Sequence, residues 1–187
     1  MTGKFFIMSG PSGVGKNTIA DIIIKEMDSL EETVSATTRA KRKKEKDGVH
    51  YHFLNKEQFI KCVNNNEMLE WAEFAGNYYG TLKRELYNKL DNGLNVLSVI
   101  EVQGANQIMK KFDGVISIFL MPPSKKALYN RLCNRGYDSK EYIEKRITAS
   151  SKEINLSSNY DYIVINDDLE TAVNKVRQII IKHTVNK

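Results

Sequence analysis

The residues Gly10-Pro11-Ser12-Gly13-Val14-Gly15-Lys16-Asn17-Thr18 stand between a short apolar run at 5–8 and a stretch in which Ile19, Ile22, Ile23 and Met27 recur at helical spacing. A chain with such a loop between a buried strand and a helix is committed to an α/β arrangement built around it. Glycines let backbone N–H groups come close to an anion, and the following helix adds unpaired N–H groups and a positive dipole end. Lys16 supplies a point charge that reaches outer phosphates, so the loop reads as a polyphosphate cradle. The pattern G-x-x-x-x-G-K-[ST] is broken at Asn17, where a hydroxyl that helps hold Mg²⁺ is expected; Thr18 is the neighbouring hydroxyl able to take that place.

Further apolar runs predict strands over 94–100, 115–120 and 162–165, each followed by a helix candidate, over 103–112, 124–134 and 168–183. The last of these helices carries Leu169, Ala172, Val173, Val176 and Ile180 on one face. Strands alternating with crossover helices imply a central parallel sheet covered on both sides, a three-layer fold. Residues 34–91 break the rhythm with two aromatic-rich strand candidates, 49–53 and 68–74, and read as an inserted lobe. Residues 124–153 are rich in Arg, Lys, Ser and Tyr and read as two helices joined by an Arg135-Gly136 turn. At 187 residues the chain suits one domain, with a core over 1–33, 92–123 and 154–187.

Charge narrows the class of partner. The 28 Lys and Arg outnumber 23 Asp and Glu to give a net charge of +5, a modest excess that suits a site for phosphorylated ligands. The one dense basic run, 39–46, has no interleaved aromatics to stack bases, so no nucleic-acid partner is expected. Two cysteines, Cys62 and Cys133, are too few for a zinc site or a disulfide framework. The first residues lack a signal-peptide pattern and no run approaches a membrane span, so a cytoplasmic protein without a membrane partner is expected.

A phosphate loop alone does not choose among GTPases, ATPases and kinases. The tetrapeptide Asn88-Lys89-Leu90-Asp91 imitates the guanine-reading motif of GTPases, but Leu82, Leu86 and Leu90 run through it at helical spacing, where that motif needs a preceding buried strand. A different set of residues is more specific. Ser35-Ala36-Thr37-Thr38-Arg39-Ala40-Lys41-Arg42 is followed by Glu45, Gly48, Tyr51 and Phe53, then by Leu69-Glu70-Trp71-Ala72-Glu73 and Gly76-Asn77-Tyr78-Tyr79-Gly80-Thr81. Val102-Gln103-Gly104-Ala105, Arg131, Arg135-Gly136, Arg146 and Asn166-Asp167-Asp168 come later in the chain. In this order, over nearly the whole length, these motifs resemble the guanylate kinases among the nucleoside monophosphate kinases.

The resemblance implies a P-loop fold with a GMP-binding lobe at 34–91 and a helical lid at 124–153. It also implies ATP-dependent phosphorylation of GMP and dGMP to GDP with Mg²⁺. Two arginines three residues apart, Arg39 and Arg42, suit a dianionic phosphate, with Tyr51 and Tyr79 as further donors. Guanine offers N1–H and N2–H₂ donors and an O6 acceptor, for which a carboxylate, Glu70, and two hydroxyls, Ser35 and Thr81, are natural readers; adenine would leave Glu70 unpaired. The loop 10–18, with Asn166, would hold ATP, and Thr18 and Glu101 would face the metal. Lys16, Arg39 and Arg42, joined by Arg131, Arg135 and Arg146 from the lid, would neutralise charge on the transferring phosphoryl group. The acceptor phosphate is already anionic and needs no general base. Two positions depart from the family pattern: Val99, where an acidic residue is usual, and Asn17, where a small one is common. The competing readings are a kinase for another nucleoside monophosphate and a non-catalytic guanylate-kinase-like interaction module.

Overall fold

The computed structural model describes residues 3–74, 76–134 and 140–184. In chain order, β1 (Phe5–Ser9), α1 (Lys16–Glu26) and β2 (Leu30–Glu32) come first. They are followed by β3 (Ser35–Thr37), β4 (His52–Phe53), α2 (Lys56–Asn64), β5 (Met68–Phe74), β6 (Asn77–Leu82) and α3 (Lys83–Asp91). The chain then runs through β7 (Asn95–Val99), α4 (Val102–Lys111), β8 (Ile116–Met121), α5 (Lys125–Cys133), α6 (Lys140–Ile154), β9 (Tyr162–Ile165) and α7 (Leu169–Thr184).

The fold is α/β about a parallel sheet in the order β2-β7-β1-β8-β9 among the described residues. Its central strands are apolar on both faces, as helices on both sides demand. Phe6 and Met8 of β1, with Ile118 and Leu120 of β8, join Ile19 and Ile23 of α1 and Val173, Val176 and Ile180 of α7. The alternate residues Phe5, Ile7 and Phe119 pack instead with Leu86 and Leu90 of α3 and Val102, Ala105 and Ile108 of α4. The predicted strands and crossover helices of this sheet are present, with ends displaced by one or two residues. β2 escaped notice because three residues, Leu30-Glu31-Glu32, are too few to show a period.

A second, smaller sheet has the order β4-β3-β6-β5 and mixes parallel and antiparallel pairs. Its apolar face, with Ala36, Met68 and Leu82, closes over Phe59 of α2. α2 begins at a capping box in which Asn55 and Gln58 exchange side-chain-to-backbone hydrogen bonds. The strand expected over 68–74 is present, whereas the one expected over 49–53 shrinks to His52–Phe53. Val49 lies 63% exposed in a turn after Gly48, so its β-branched side chain is not part of a strand. The Asn88–Asp91 tetrapeptide lies in α3, where Leu90 is buried and Lys89 pairs with Glu31 of β2. That placement agrees with reading it as a helix turn.

Candidate active site

In a parallel sheet the loops after the strands all emerge on one edge, which is where α/β folds collect their ligands. The loop after β1 is the glycine-rich one, β7 leads to Glu101, β8 leads to Pro123 and α5, and β9 leads to Asn166. Topology alone therefore gathers four of the segments singled out in the sequence.

Lys16 opens α1 and is buried, its Nζ donating to the Gly10 carbonyl at 2.6 Å and lying 3.5 Å from Glu101 Oε1. No acidic residue occupies the first turn of α1, so the positive end of that helix is left uncompensated for an anion. Gly15 caps α1 with φ of 104°, a left-handed conformation that disfavours any side chain. A Cβ there would also sit 2.6 Å from Asn166 Nδ2, which donates to the Val14 carbonyl at 2.7 Å. Asn166 thus buttresses the loop from the β9 side. Asn17 and Thr18 are both exposed on the first turn of α1.

Helices α5 and α6 reach the same loop. Arg146 of α6 donates to Ser12 Oγ at 3.1 Å and stacks over Tyr142, its guanidinium 4.7 Å from the ring centre. Arg131 of α5 donates to the Asn166 carbonyl at 2.8 Å and to the Asp167 carbonyl at 3.3 Å. The structure brings Lys16, Arg131 and Arg146 to one loop; Arg135 lies outside the described residues. Glu153, near the end of α6, has its carboxyl pushed above the usual range by burial and by nearby Glu101, against the opposing pull of Lys16.

The residues expected to bind the acceptor form a second centre on the small sheet. Glu70 of β5 is buried, and desolvation raises its carboxyl from 4.5 to about 7 despite the Thr81 hydroxyl, which donates to Oε1 at 2.8 Å. Thr81 spends its proton on Glu70, so its oxygen can only accept from a ligand. Ser35 stands opposite Thr81 in the β3–β6 pairing and is the remaining hydroxyl donor at this end. A Cβ on Gly104 would meet Glu70 Oε2 at 2.5 Å, so a side chain there would displace the carboxylate from its seat on α4. Val99 packs with the cluster formed by α1 and α7, on the other face of the parallel sheet from α4.

Arg39 is held by Glu45 through two hydrogen bonds of 3.0 and 2.7 Å, while the Arg42 N–H donates to the same carboxylate at 2.8 Å. These bonds bring the Glu45 carboxyl down to about 2. The Arg39 guanidinium lies 5.5 Å from the Tyr51 ring centre and 5.8 Å from that of Phe53, and Tyr51 meets Tyr79 edge to face at 6.3 Å. Arg39 still has Nε–H and one Nη2 proton to offer, because Glu45 and the Ala40 carbonyl take the other three. The Arg42 side chain is exposed. Arg39, Tyr51 and Tyr79 are thus brought together, with Arg42 beside them through Glu45. The roles of Glu45 and Gly104 were not read from the sequence, although the spacing of an acid three residues after Arg42 was visible there.

The two centres share a wall. Glu101 precedes α4 and faces Lys16, while Gly104, within the first turn, lies under Glu70. The two positions that meet Lys16 and the buried carboxylate, Glu101 and Gly104, are therefore about one helical turn apart.

Comparison with known proteins points to one family. The profile of the guanylate kinase family matches residues 2–183. The chain is 43% identical over 178 residues to a guanylate kinase of Halalkalibacterium halodurans, covering 95% of this chain and 87% of that protein. It is 44% identical over 188 residues to one of Malacoplasma penetrans, covering 99% and 96%. Among solved structures, guanylate kinase from Anaplasma phagocytophilum superposes with a TM-score of 0.77 at 33% identity, covering all of this chain and 88% of that one. A shikimate kinase from Bacteroides thetaiotaomicron, at 16% identity and a TM-score of 0.51 over 96% of this chain and 97% of that one, shares the fold alone. With its loop, its buried carboxylate and its near full-length likeness taken together, the chain belongs to the guanylate kinase family.

Proposed function

We propose that this chain transfers the γ-phosphoryl group of ATP to GMP, yielding ADP and GDP. The observation that carries this reading is Glu70: a buried carboxyl group paired with Thr81, close to the phosphate loop, is costly to the fold unless a ligand with donors fills it. Guanine presents two such donors side by side, and adenine presents no equivalent pair. We assign dGMP as a second acceptor, since no residue in the set is given to the ribose 2′-hydroxyl.

In this reading residues 10–18 cradle the ATP phosphates, with Asn166 as buttress. Lys16 leaves the Gly10 carbonyl for the outer phosphates. Arg39 and Arg42, joined by the hydroxyls of Tyr51 and Tyr79, grip the GMP phosphate. Glu70 takes N1–H and N2–H₂ while Ser35 donates to O6. Arg131, Arg135 and Arg146 close over the reacting oxygens, exclude water and spread the developing charge. Positioning and electrostatics supply the catalysis, because the attacking phosphate oxygen is already anionic.

Thr18 and Glu101 are exposed oxygen donors at the mouth of the loop, Glu101 being 67% accessible. Among the described residues no cluster of three or more His, Cys, Asp or Glu could hold a metal unaided. That sparse set fits Mg²⁺ arriving with nucleotide, which completes its shell with phosphates and water. When bound, the ion would neutralise and orient the phosphates. We place the protein in the cytoplasm, a reducing compartment suited to its unpaired Cys62 and Cys133. No helix among the described residues is long and apolar enough to cross a membrane.

The test is ADP formation from ATP and Mg²⁺ with GMP, dGMP, AMP, UMP and dTMP in turn. GMP and dGMP are expected to be turned over about 10⁴-fold more efficiently than AMP, the discrimination of a site that leaves a buried polar group unpaired. Equal or better turnover of AMP or dTMP would overturn the guanine assignment.

A further inference from the structure

β5 is the edge of the small sheet, so among the described residues its outward N–H and C=O groups have no partner strand. At Trp71, the residue after Glu70, a single side chain takes that place. Gln107 of α4 accepts from the Trp71 N–H at 3.3 Å through Oε1 and donates to the Trp71 carbonyl at 2.8 Å through Nε2. A primary amide carries its donor and acceptor side by side, as a neighbouring strand would, and can pair with both groups of one residue.

Gln107 lies three positions after Gly104, so both face the same way from α4, towards β5. Lys111 continues that stripe and exerts a small downward pull on the Glu70 carboxyl. The opposite side of the helix, with Val102, Ala105 and Ile108, is locked into the core. The fixed helix therefore grips β5 at Trp71 and offers a bare surface at Gly104 for the carboxylate of the preceding residue. We propose that Gln107 is a positioning residue for guanine recognition, clamping the β5 backbone so that the Glu70 carboxylate is seated on Gly104. This rests on reading Glu70 as the group that binds guanine.

Three consequences separate this role from a general contribution to the fold. Loss of the clamp acts on GMP and leaves ATP alone, it erodes discrimination between GMP and AMP, and it lets water reach Glu70, so that the acid limb of GMP use moves to lower pH. Gln107→Leu keeps the bulk and removes both hydrogen bonds. Gln107→Glu keeps an acceptor for the Trp71 N–H but sets an anion against the Trp71 carbonyl. Steady-state kinetics with each substrate varied in turn, over pH 5.5–8.5, should show KM for GMP raised about tenfold or more in Gln107→Leu, as the loss of two hydrogen bonds implies, with KM for ATP within twofold of wild type. The GMP-to-AMP ratio of kcat/KM should fall by a similar factor, and Gln107→Glu should lie at or below Gln107→Leu.

The inference is overturned if KM for GMP stays within twofold in both variants, or if the two KM values rise together. If Gln107→Leu does not fold, the same comparison in Gln107→Glu decides. A wild-type protein inactive towards GMP would overturn the functional reading and this inference with it. An active wild type with indifferent variants overturns this inference alone.

Discussion

Glu70 is a carboxyl group that the fold keeps from water at its own expense. Its folded value of about 7 lies above the ordinary 4.5, so the native state favours the neutral acid. Below the unfolded value both states are protonated and no charge is buried; as pH rises through about 7 the native state bears the full cost of a buried charge. Thermal melts at pH 5 and pH 8 should therefore show Glu70→Gln gaining about 2–3 kcal/mol relative to wild type between the two conditions. The same substitution should abolish most GMP binding. Guanine donors need the ionised form, so wild-type GMP affinity should weaken as pH falls below about 7. Glu70→Gln should retain only the change due to the phosphate, whose second ionisation lies near 6. Titration calorimetry from pH 5.5 to 8 separates the two limbs. Lys16→Ala should lower turnover by about 10²-fold or more while leaving the melt of the nucleotide-free protein nearly unchanged; a variant with most of its activity would refute the placement of the triphosphate.

At the scale of elements, the segment between β3 and β4 is a braced loop. Glu45 fixes both the Arg39 side chain and the Arg42 backbone, so Glu45→Ala is expected to raise KM for GMP by about tenfold, the effect of freeing a charged fork. Because Glu45 titrates near 2, its brace is present above the ordinary carboxylate range and is lost only as pH falls through that low value. It adds no pH dependence between 5 and 8. This loop also marks where the sequence stops being readable. The 49–53 run alternates Val, Tyr and Phe as a strand should, yet Gly48 turns the chain and Val49 faces water. β6 escaped because Asn77-Tyr78-Tyr79-Gly80-Thr81-Leu82 mixes turn formers with aromatics and owes its extension to pairing on both sides, with β3 and β5. The strands of the parallel sheet were legible because burial on both faces leaves continuous apolar runs. Most candidate site residues were legible as motifs, but Gln107 was not, since an amide that mimics a strand has no periodicity or charge to announce it.

At the scale of the molecule, the parallel sheet delivers its loops to one edge, where α5 and α6 contact them. Arg131 is spent here on the carbonyls of Asn166 and Asp167, and Arg146 contacts Ser12. Arg146→Ala is accordingly expected to lower kcat about 10²-fold or more with little change in KM for GMP, a pattern that rapid-quench measurement of the transfer step would assign to chemistry. α4 touches Lys16 through the residue before it and Glu70 through its third residue. One rigid body thus borders the proposed seats of both substrates. Such a shared border ties the two binding equilibria together: whatever factor ATP imposes on GMP affinity across α4, GMP must return to ATP in the same measure.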